Sequence, residues 1–337
     1  MKQDPHQPAR QESRPKVSLE AIAEEPSDSR GTLLFHRDYR RLSGGHLKVW
    51  HYLGHTAASR SFRPKLYLTP RSSRDRGNIF LSEAVSLVEE WCPERADALF
   101  VGGLDWQALP GDGSVPVVNL IQGLSHAQPD NPRRDFLRRR AVRICVSGEV
   151  ADAIQATGLV NGPVYTIANA IELPGEPPTS SRPPIPLLVA GWKDRRFTDQ
   201  VVAGLRAVGL QPEVIDSHLP QEEFLARLAA ARVVVLLPLQ LEGCFLPALE
   251  AFALGCLVVC PDCVGNRQFC RDGETCFRPA HDPQAIVAAT VQAQAQALPQ
   301  PQRERIIAAA RAEAAGRGLD EERRAYLAIL DNLADIW

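Results

Sequence analysis

Short apolar runs alternate with helical patterns along most of this chain. In the first half, six runs have the length and residue types of buried strands, at 31–37, 65–69, 97–103, 115–122, 142–147 and 163–169. Helical patterns fall between them, in the stretch that Ser43 can cap and at 80–92, 132–140 and 148–157. Such alternation predicts a parallel sheet with helices on both faces, which is a Rossmann-like α/β domain.

The same alternation starts again in the second half. Between the two halves, residues 173–186 carry six prolines together with Ser, Thr and Glu, a composition typical of an interdomain linker. Beyond it, strands are predicted at 185–192, 212–216, 232–238 and 257–261, with helices at 197–209, 220–231 and 247–255. The sequence therefore predicts a flexible leader (1–30), a first domain (31–172), a linker (173–184), a second domain (185–315) and a C-terminal helix (316–337). The apolar stripe of that last helix needs a surface to pack against, and we expect the first domain to provide it.

Charge and hydropathy narrow the class of protein. The 337 residues include 38 Lys and Arg against 40 Asp and Glu, a formal net charge of -2, which disfavours nucleic acid as a partner. No run of 18 apolar residues is present and the first residues are polar. We therefore expect a cytoplasmic protein in which the eight cysteines are reduced thiols.

The stretch 239–260 contains an unusual carboxylate. Glu242 and Glu250 are separated by seven residues, and Pro247 stands where a helix is predicted to begin. Glu250 is the only charged residue between Phe245 and Cys260. A buried carboxylate is costly unless a partner binds it. Either Glu250 is a partly exposed acid on an ordinary helix, or this helix start is a ligand site.

Residues 242–286 resemble the donor-binding region of retaining GT-B glycosyltransferases of family four, the glycogen-synthase-like type. The family pattern E-G-F-G-L-P-x-x-E-A stands here as EGCFLPALEA, followed by a strand, a loop with glycine, D-G-x-x-C and a Pro before a helix. Weaker matches elsewhere are Gly44 and Gly45, His126, Ser147 and Asn169. The resemblance implies two Rossmann-like domains facing a central cleft, and transfer of a sugar from a nucleotide-sugar to an acceptor with retention of configuration.

The resemblance also implies roles for individual residues. Glu250 would bind the donor ribose and Glu242 the hydroxyls of the donor sugar. Backbone amides of the loop after Glu242 would serve the sugar and phosphates, and a basic cluster would hold the diphosphate. A solvated charged turn is the alternative for that cluster. The implied catalytic residues are Glu242, Lys193, Arg195 and His126, and the implied donor-binding residues are Glu250, Arg196, Gly44, Gly45, Gly243, Cys244, Phe245, Leu246, Gly265 and Asn266.

Enzymes of this kind need no metal or other cofactor, and the chain has no D-x-D motif. Three positions depart from the family pattern. Phe245 stands where glycine is usual, Lys193 precedes the arginines instead of following one, and Ala170 replaces the glycine after Asn169. Phe245 supports a rival hypothesis, a subunit that binds a nucleotide-sugar without transferring it. A nucleotide-sugar epimerase or hydrolase on the same fold is the other rival.

Two further clusters have competing interpretations. Cys260, Cys263, Cys270 and Cys276 contain a single C-x2-C pair, so buried thiols are favoured over a zinc site. The arginines of NPRRDFLRRRAVR, at 131–143, either form a solvated helix face or contact a membrane surface or a lipid-linked acceptor. The second hypothesis would place the protein peripherally at the inner face of the membrane.

Overall fold

The computed structural model describes residues 29–111, 113–172, 185–294 and 298–337. The predicted linker, 173–184, and all but two residues of the predicted leader lie outside this part of the chain. No helix in the described residues is long and apolar enough to cross a lipid bilayer.

The first sheet has seven strands, all parallel, in the order β3-β2-β1-β4-β5-β6-β7. The strands are β1 (Gly31–Arg37), β2 (Phe62–Leu68), β3 (Leu87–Val88), β4 (Ala98–Gly102), β5 (Val117–Ile121), β6 (Val142–Cys145) and β7 (Val164–Thr166). Its helices are α1 (Gly44–Ala57), which Ser43 caps through a bond from His46 N, and α2 (Gly148–Gln155), which Ser147 caps in the same way. Six of these strands and both helices were predicted, and α/β alternation is confirmed.

The predicted helix at 80–92 is wrong. A 3₁₀ turn (Ile79–Leu81) and the edge strand β3 occupy this stretch instead, and β3 pairs with β2 through Leu66 and Leu87. Phe80 and Val85 are buried, so the apolar spacing reflects two separate packing contacts and not one helical face. Similarly, 132–140 forms a 3₁₀ run (Pro132–Arg138) rather than an α-helix.

The second sheet has four parallel strands in the order β11-β10-β8-β9. They are β8 (Ile185–Ala190), β9 (Glu213–Ile215), β10 (Ala231–Leu236) and β11 (Leu257–Val259), all of them predicted. The predicted helices appear as α3 (Arg195–Ala207), α4 (Gln221–Ala229) and α5 (Leu246–Ala253). They are followed by α6 (Pro283–Gln294) and α7 (Gln300–Ala315). Two apolar clusters cover the faces of this sheet, one containing Phe245 and Phe252 and the other Val201 and Leu205.

The last helices, α8 (Leu319–Asp331) and α9 (Leu333–Ile336), pack on the first sheet's side of the molecule. Tyr326 and Leu330 are buried in the first apolar core, and the Tyr326 hydroxyl lies 3.0 Å from Thr56 Oγ1 of α1. The chain therefore crosses from the second sheet back to the first. This crossing holds both sheets in one structure, and their carboxyl edges supply the residues described next.

Candidate functional site

The helix α5 begins where Pro247 predicted it. Phe245 occupies the cap position, and no side chain caps the helix. The Phe245 ring is 2% exposed and lies in the second domain's core, and its backbone N–H donates to the Gly265 carbonyl over 3.0 Å. The residue that departs from the family pattern therefore fills the core. The Phe245 amide is already hydrogen-bonded inside the loop. Of the three amides predicted to serve the donor, those of Cys244 and Leu246 therefore remain as candidates.

Glu250 lies at the boundary between the two domains. Among the described residues, its carboxyl accepts one hydrogen bond, from Gln221 Nε2 at 3.4 Å. Burial raises the pKa of Glu250 to about 7, against the lowering effect of that bond. The carboxyl lines a small cavity whose walls come from both domains, namely Leu47, His51, Ala170, Ile171 and Glu172 on one side and Gln221, Leu246 and Glu250 on the other.

Glu242 and Lys193 form an ion pair. Lys193 Nζ lies 2.5 Å from Glu242 Oε1, and the two side chains are 31% and 16% exposed. The backbone N–H of Leu239 also donates to Glu242 Oε1 over 3.3 Å. The Lys193 ammonium stands 5.5 Å from the centroid of the Phe245 ring, an ordinary distance for a cation–π contact. The structure thus joins two residues, 49 positions apart, that the sequence assigned to one site.

Arg195 and Arg196 are placed differently. Arg195 opens α3, and its guanidinium pairs with Asp216 at 2.9 Å and with Asp199 at 3.7 Å, on a side chain that is 65% exposed. Arg196 is exposed on the same helix. Only Lys193 of the predicted cluster contacts Glu242, and the two arginines are exposed on the first turn of α3.

Two glycines pack so tightly that no other residue fits. A Cβ on Gly243 would collide with the Gln122 carbonyl and lie 2.6 Å from the Gly123 Cα, in the loop after β5. A Cβ on Gly265 would lie 2.6 Å from Cys244 N. Gly243 therefore brings the loop of Glu242 into direct backbone contact with the first domain.

Asn266 is fully buried and its side chain shapes the loop after β11. Its Oδ1 accepts from Cys263 N at 3.2 Å, and its Nδ2 donates to the Pro261 carbonyl at 2.8 Å. Both ends of the amide are therefore engaged within the loop, and the side chain holds the loop backbone in place. Cys244 lies beside Lys48 and Asn169, and burial raises the pKa of its thiol to about 11.

In the first domain, Gly44 and Gly45 form the start of α1. A Cβ on Gly44 would meet nothing within 4 Å, so this helix end is open. The Gly45 carbonyl accepts a hydrogen bond from Gln122 Nε2 at 3.2 Å. The glycine pair is thus tied to the loop that contacts Gly243.

His126 follows β5 and is 3% exposed, with no partner for either ring nitrogen among the described residues. Burial, with the charges of Arg133 and Arg143, lowers the pKa of His126 to about 3, so the ring is neutral. His46, on α1, is also buried enough to lower its pKa to about 4, with Arg37 contributing. The structure does not bring either histidine into hydrogen-bonding contact with Glu242, Lys193 or Glu250.

A buried polar network beside the cavity was missed from the sequence. Lys48 and Glu322, on α1 and α8, form an ion pair, and His55 Nε2 lies 3.0 Å from Glu322 Oε1. Ala170 N donates to Glu322 Oε2 at 2.9 Å, and Lys48 Nζ lies 3.3 Å from His51 Nδ1. The one sequence signal was Lys48 itself, a charge between two apolar residues of a helix.

The cysteine and arginine clusters have structural roles. Cys260, Cys263, Cys270 and Cys276 are buried free thiols, and no group of His, Cys, Asp or Glu in the described ranges is arranged to hold a metal ion. Arg143 is fully buried and donates to the Leu137 carbonyl at 2.7 Å. Arg139 donates to the carbonyls of Pro110 and Gly111, and Arg140 stacks on Trp337 at 4.8 Å. The helix predicted at 132–140 is a 3₁₀ run, so these arginines do not share one helical face, and contact with a membrane surface or a lipid-linked acceptor stays a hypothesis.

Comparison with known proteins bears on the fold and on the second domain. Residues 177–296 match the model of a family described as glycosyl transferases group 1. No curated protein matches the sequence significantly. Among solved structures, sucrose-phosphate synthase from Thermosynechococcus elongatus aligns with a TM-score of 0.70 at 14% identity, covering 91% of this chain and all of that one.

Two further structures are similar at comparable identity. HepE from Anabaena, in complex with UDP and glucose, has a TM-score of 0.68 at 11% identity over 90% of this chain and all of that one. The pneumococcal O-GlcNAc transferase GtfA, in complex with UDP and GlcNAc, has a TM-score of 0.50 at 14% identity over 65% of this chain. The chain spans only 53% of that transferase. The fold is therefore GT-B, and its second domain carries the sequence pattern of group 1 glycosyltransferases.

Proposed function

We propose that this protein transfers a sugar from a nucleotide-sugar to an acceptor hydroxyl, with retention of configuration and without a metal ion. One observation carries the proposal. Inside the segment that matches the family, Glu242 and Glu250 both lie where the second domain meets the first, one paired with Lys193 and the other lining a cavity between the domains. Each carboxylate has acceptor capacity left over for the hydroxyls of a ribose or a hexose.

The roles follow from position and charge. Glu250 accepts hydrogen bonds from the donor ribose, which offsets the desolvation of its carboxylate. Lys193, on a partly exposed side chain, moves from Glu242 to the diphosphate as negative charge develops on the leaving group. The bond between the anomeric carbon and the phosphate oxygen breaks as the acceptor oxygen bonds to the same face of that carbon. The acceptor proton passes to the departing phosphate oxygen.

The choice of donor to test first comes from the relatives. The HepE and GtfA structures hold UDP, so UDP-glucose and UDP-N-acetylglucosamine are the first candidates. The proposed acceptor is a glycan, a lipid-linked sugar or a small molecule.

The test is turnover of UDP-sugars with and without an acceptor panel, with the anomeric configuration of the product read by NMR. Retention predicts an α-linked product from an α-linked donor. Metal independence predicts the same rate with and without EDTA. Lys193→Ala is expected to lower kcat by about 100-fold, the usual effect of losing one group that stabilises transition-state charge. Arg227→Ala, which removes an exposed ion pair with Glu213 in the same domain, is the matched control.

Other outcomes separate the rivals. An epimerase or hydrolase would consume the donor at full rate without an acceptor. A binding subunit would bind the donor with no turnover at all. An inverted product, or normal kcat in Lys193→Ala, would contradict the proposal directly.

A further inference from the structure

The two loops that follow β1 and β2 concentrate positive charge. At 38–43 and 69–78 they hold Arg40, Arg41, Arg71, Arg74 and Arg76, which together we name the arginine platform. The acidic residues of these two segments are Asp38 and Asp75, so their local net charge is +3 in a chain whose formal charge is -2. Glu89 and Glu90 follow β3, at the outer edge of the sheet.

The two aspartates do not neutralise the platform. Asp38 is shared by Arg40, at 3.1 Å, and Arg71, at 3.3 Å. Asp75 accepts from Ser73 Oγ and from Gly77 N within its own loop. Arg41 and Arg76 are exposed, and neither has a carboxylate partner in the part of the chain that the structure describes.

The two loops form one rigid unit around Tyr39. Ser73 N donates to the Tyr39 carbonyl at 2.7 Å, and Tyr39 N donates to Ser72 Oγ at 2.9 Å. The Tyr39 hydroxyl donates to the Gly77 carbonyl at 2.7 Å. The backbones of both loops are therefore held on a shared frame, so the loops themselves need no ordering when their arginines bind a ligand.

Two side chains next to the platform, Arg37 and His46, each have a buried nitrogen without a partner among the described residues. Arg37 is 9% exposed and pairs with Asp105 at 2.5 Å, but its Nε is buried without a partner. His46 Nδ1, next to Tyr39, is also buried without a partner. A buried donor left unpaired costs about 1–3 kcal/mol, so such atoms commonly mark a place that a ligand or ordered water completes.

The platform is continuous with the proposed reaction centre. The loop after β1 leads directly to Gly44 and Gly45 at the start of α1. The Gly45 carbonyl accepts a hydrogen bond from Gln122 Nε2. The Gln122 backbone in turn contacts Gly243, next to Glu242. A molecule bound on the platform would thus present a hydroxyl toward the sugar that Lys193 and Glu242 hold from the second domain.

We infer that the acceptor is anionic, carrying a phosphate or carboxylate that the arginine platform binds. The inference rests on the proposed transfer reaction. Arginine is suited to this task because its planar fork pairs with both oxygens of a phosphate or carboxylate. The donor diphosphate has its own cation, Lys193, on the opposite domain.

The experiment compares acceptor pairs of which only one member carries an anionic group: glucose 6-phosphate against glucose, glucuronate against glucose, and phosphatidylinositol against galactosyldiacylglycerol in neutral vesicles. The test variant is Arg41→Glu with Arg76→Glu. The matched control is Arg60→Glu with Arg95→Glu, which makes the same charge change at exposed positions before β2 and β4, on the amino edge of the sheet. Circular dichroism melting checks that all variants fold.

For the wild type, we expect kcat/KM for the anionic member of at least one pair to exceed that of its neutral partner by about tenfold or more, which is about 1.4 kcal/mol. The preference should be lost in the platform variant, persist in the control and weaken as salt is raised. The soluble and vesicle arms identify whether the phosphate belongs to a free sugar or to a lipid.

Calorimetry with glucose 6-phosphate and glucose measures binding to the arginine platform even if no transfer occurs. Its result is therefore separate from the test of the proposed function. Equal kcat/KM and equal binding within every pair would overturn the inference, as would equal losses in the platform variant and the control. Binding to phosphatidylglycerol vesicles without any acceptor preference would also overturn it, because the platform would then be a membrane-docking surface.

Discussion

The pKa of Glu250 depends on its position at the boundary between the two domains. Its helix comes from the second domain, but part of the wall facing it is Leu47 and His51 of α1. Burial, with Lys48 nearby, lowers the pKa of His51 to about 3, so that ring is neutral and offers no charge to the carboxylate. Desolvation by burial at this boundary raises the pKa of Glu250 to about 7, against the lowering effect of the hydrogen bond from Gln221.

This raised pKa predicts a pH dependence of donor binding. Below about pH 7 the carboxyl is protonated and loses acceptor capacity, so affinity for UDP-glucose should rise between about pH 6 and about pH 8. A nucleotide-sugar is the right probe because its diphosphate diester does not titrate in this range. Isothermal titration calorimetry at both pH values measures the effect.

Substitution of Glu250 separates its charge from its shape. Glu250→Ala should weaken donor binding or transfer by about tenfold or more, equal to about 1.4 kcal/mol. Glu250→Gln should bind weakly at both pH values, with a flat pH profile. Wild-type affinity in Glu250→Ala would refute the assignment of this site.

The sequence was informative about Glu250 and Glu242 because both lie in one short segment with a recognisable pattern. A lone charge in an apolar run predicted burial, and Pro247 predicted the helix start. His51 and Gln221 could not be found in the same way, because they reach Glu250 only through tertiary packing from elements distant in sequence. Likewise, nothing local indicated that Lys193 rather than Arg195 would meet Glu242.

At the scale of elements, α1 and α8 are joined by buried charges rather than by apolar packing alone. Burial raises the pKa of Glu322, but hydrogen bonds from His55 and Lys48 and the N–H of Ala170 outweigh it and hold the pKa at about 2. The local pattern of α8 predicted an apolar stripe. It gave no sign that Glu322, at 2% exposure, was part of the interior.

We predict that Glu322→Ala destabilises the protein by about 3–5 kcal/mol, because it leaves the buried ammonium of Lys48 without its carboxylate. Lys48→Met with Glu322→Leu should recover most of that loss, since two apolar side chains leave no unpaired charge. Chemical denaturation of both variants and the wild type measures the difference. A double variant that is no more stable than Glu322→Ala would contradict this account of the network.

The same network sets a pH limit on stability. Glu322 has an ordinary pKa of 4.5 in the unfolded chain and about 2 in the folded protein. Its contribution is therefore complete above about pH 4.5 and is lost as the pH falls toward 2. The Lys48→Met, Glu322→Leu variant should lack this part of the acid dependence.

At the scale of the whole molecule, the two domains touch through backbone at Gly243 and Gln122, a contact that only glycine permits. The tight contact places Glu242 and Lys193 of the second domain against the loop that holds Gly45. Because the contact at Gly243 is between two loops, the cleft can open there while α8 keeps the two domains joined. We therefore expect the cleft to open and close, with the donor favouring the closed arrangement.

Gly243→Ala tests this expectation, because a methyl group at this position would hold the two loops apart. We predict that kcat falls by about 10- to 100-fold, the range associated with misplacing reacting groups by about 1 Å. In small-angle scattering, UDP-glucose should reduce the radius of gyration of the wild type but not that of Gly243→Ala. Gly54→Ala is the matched control, since a Cβ there meets nothing within 4 Å and alanine should stabilise α1 slightly. Identical scattering profiles of the wild type with and without donor would show that the contact at Gly243 is permanent, and the loss of activity in Gly243→Ala would then reflect local distortion of the loop.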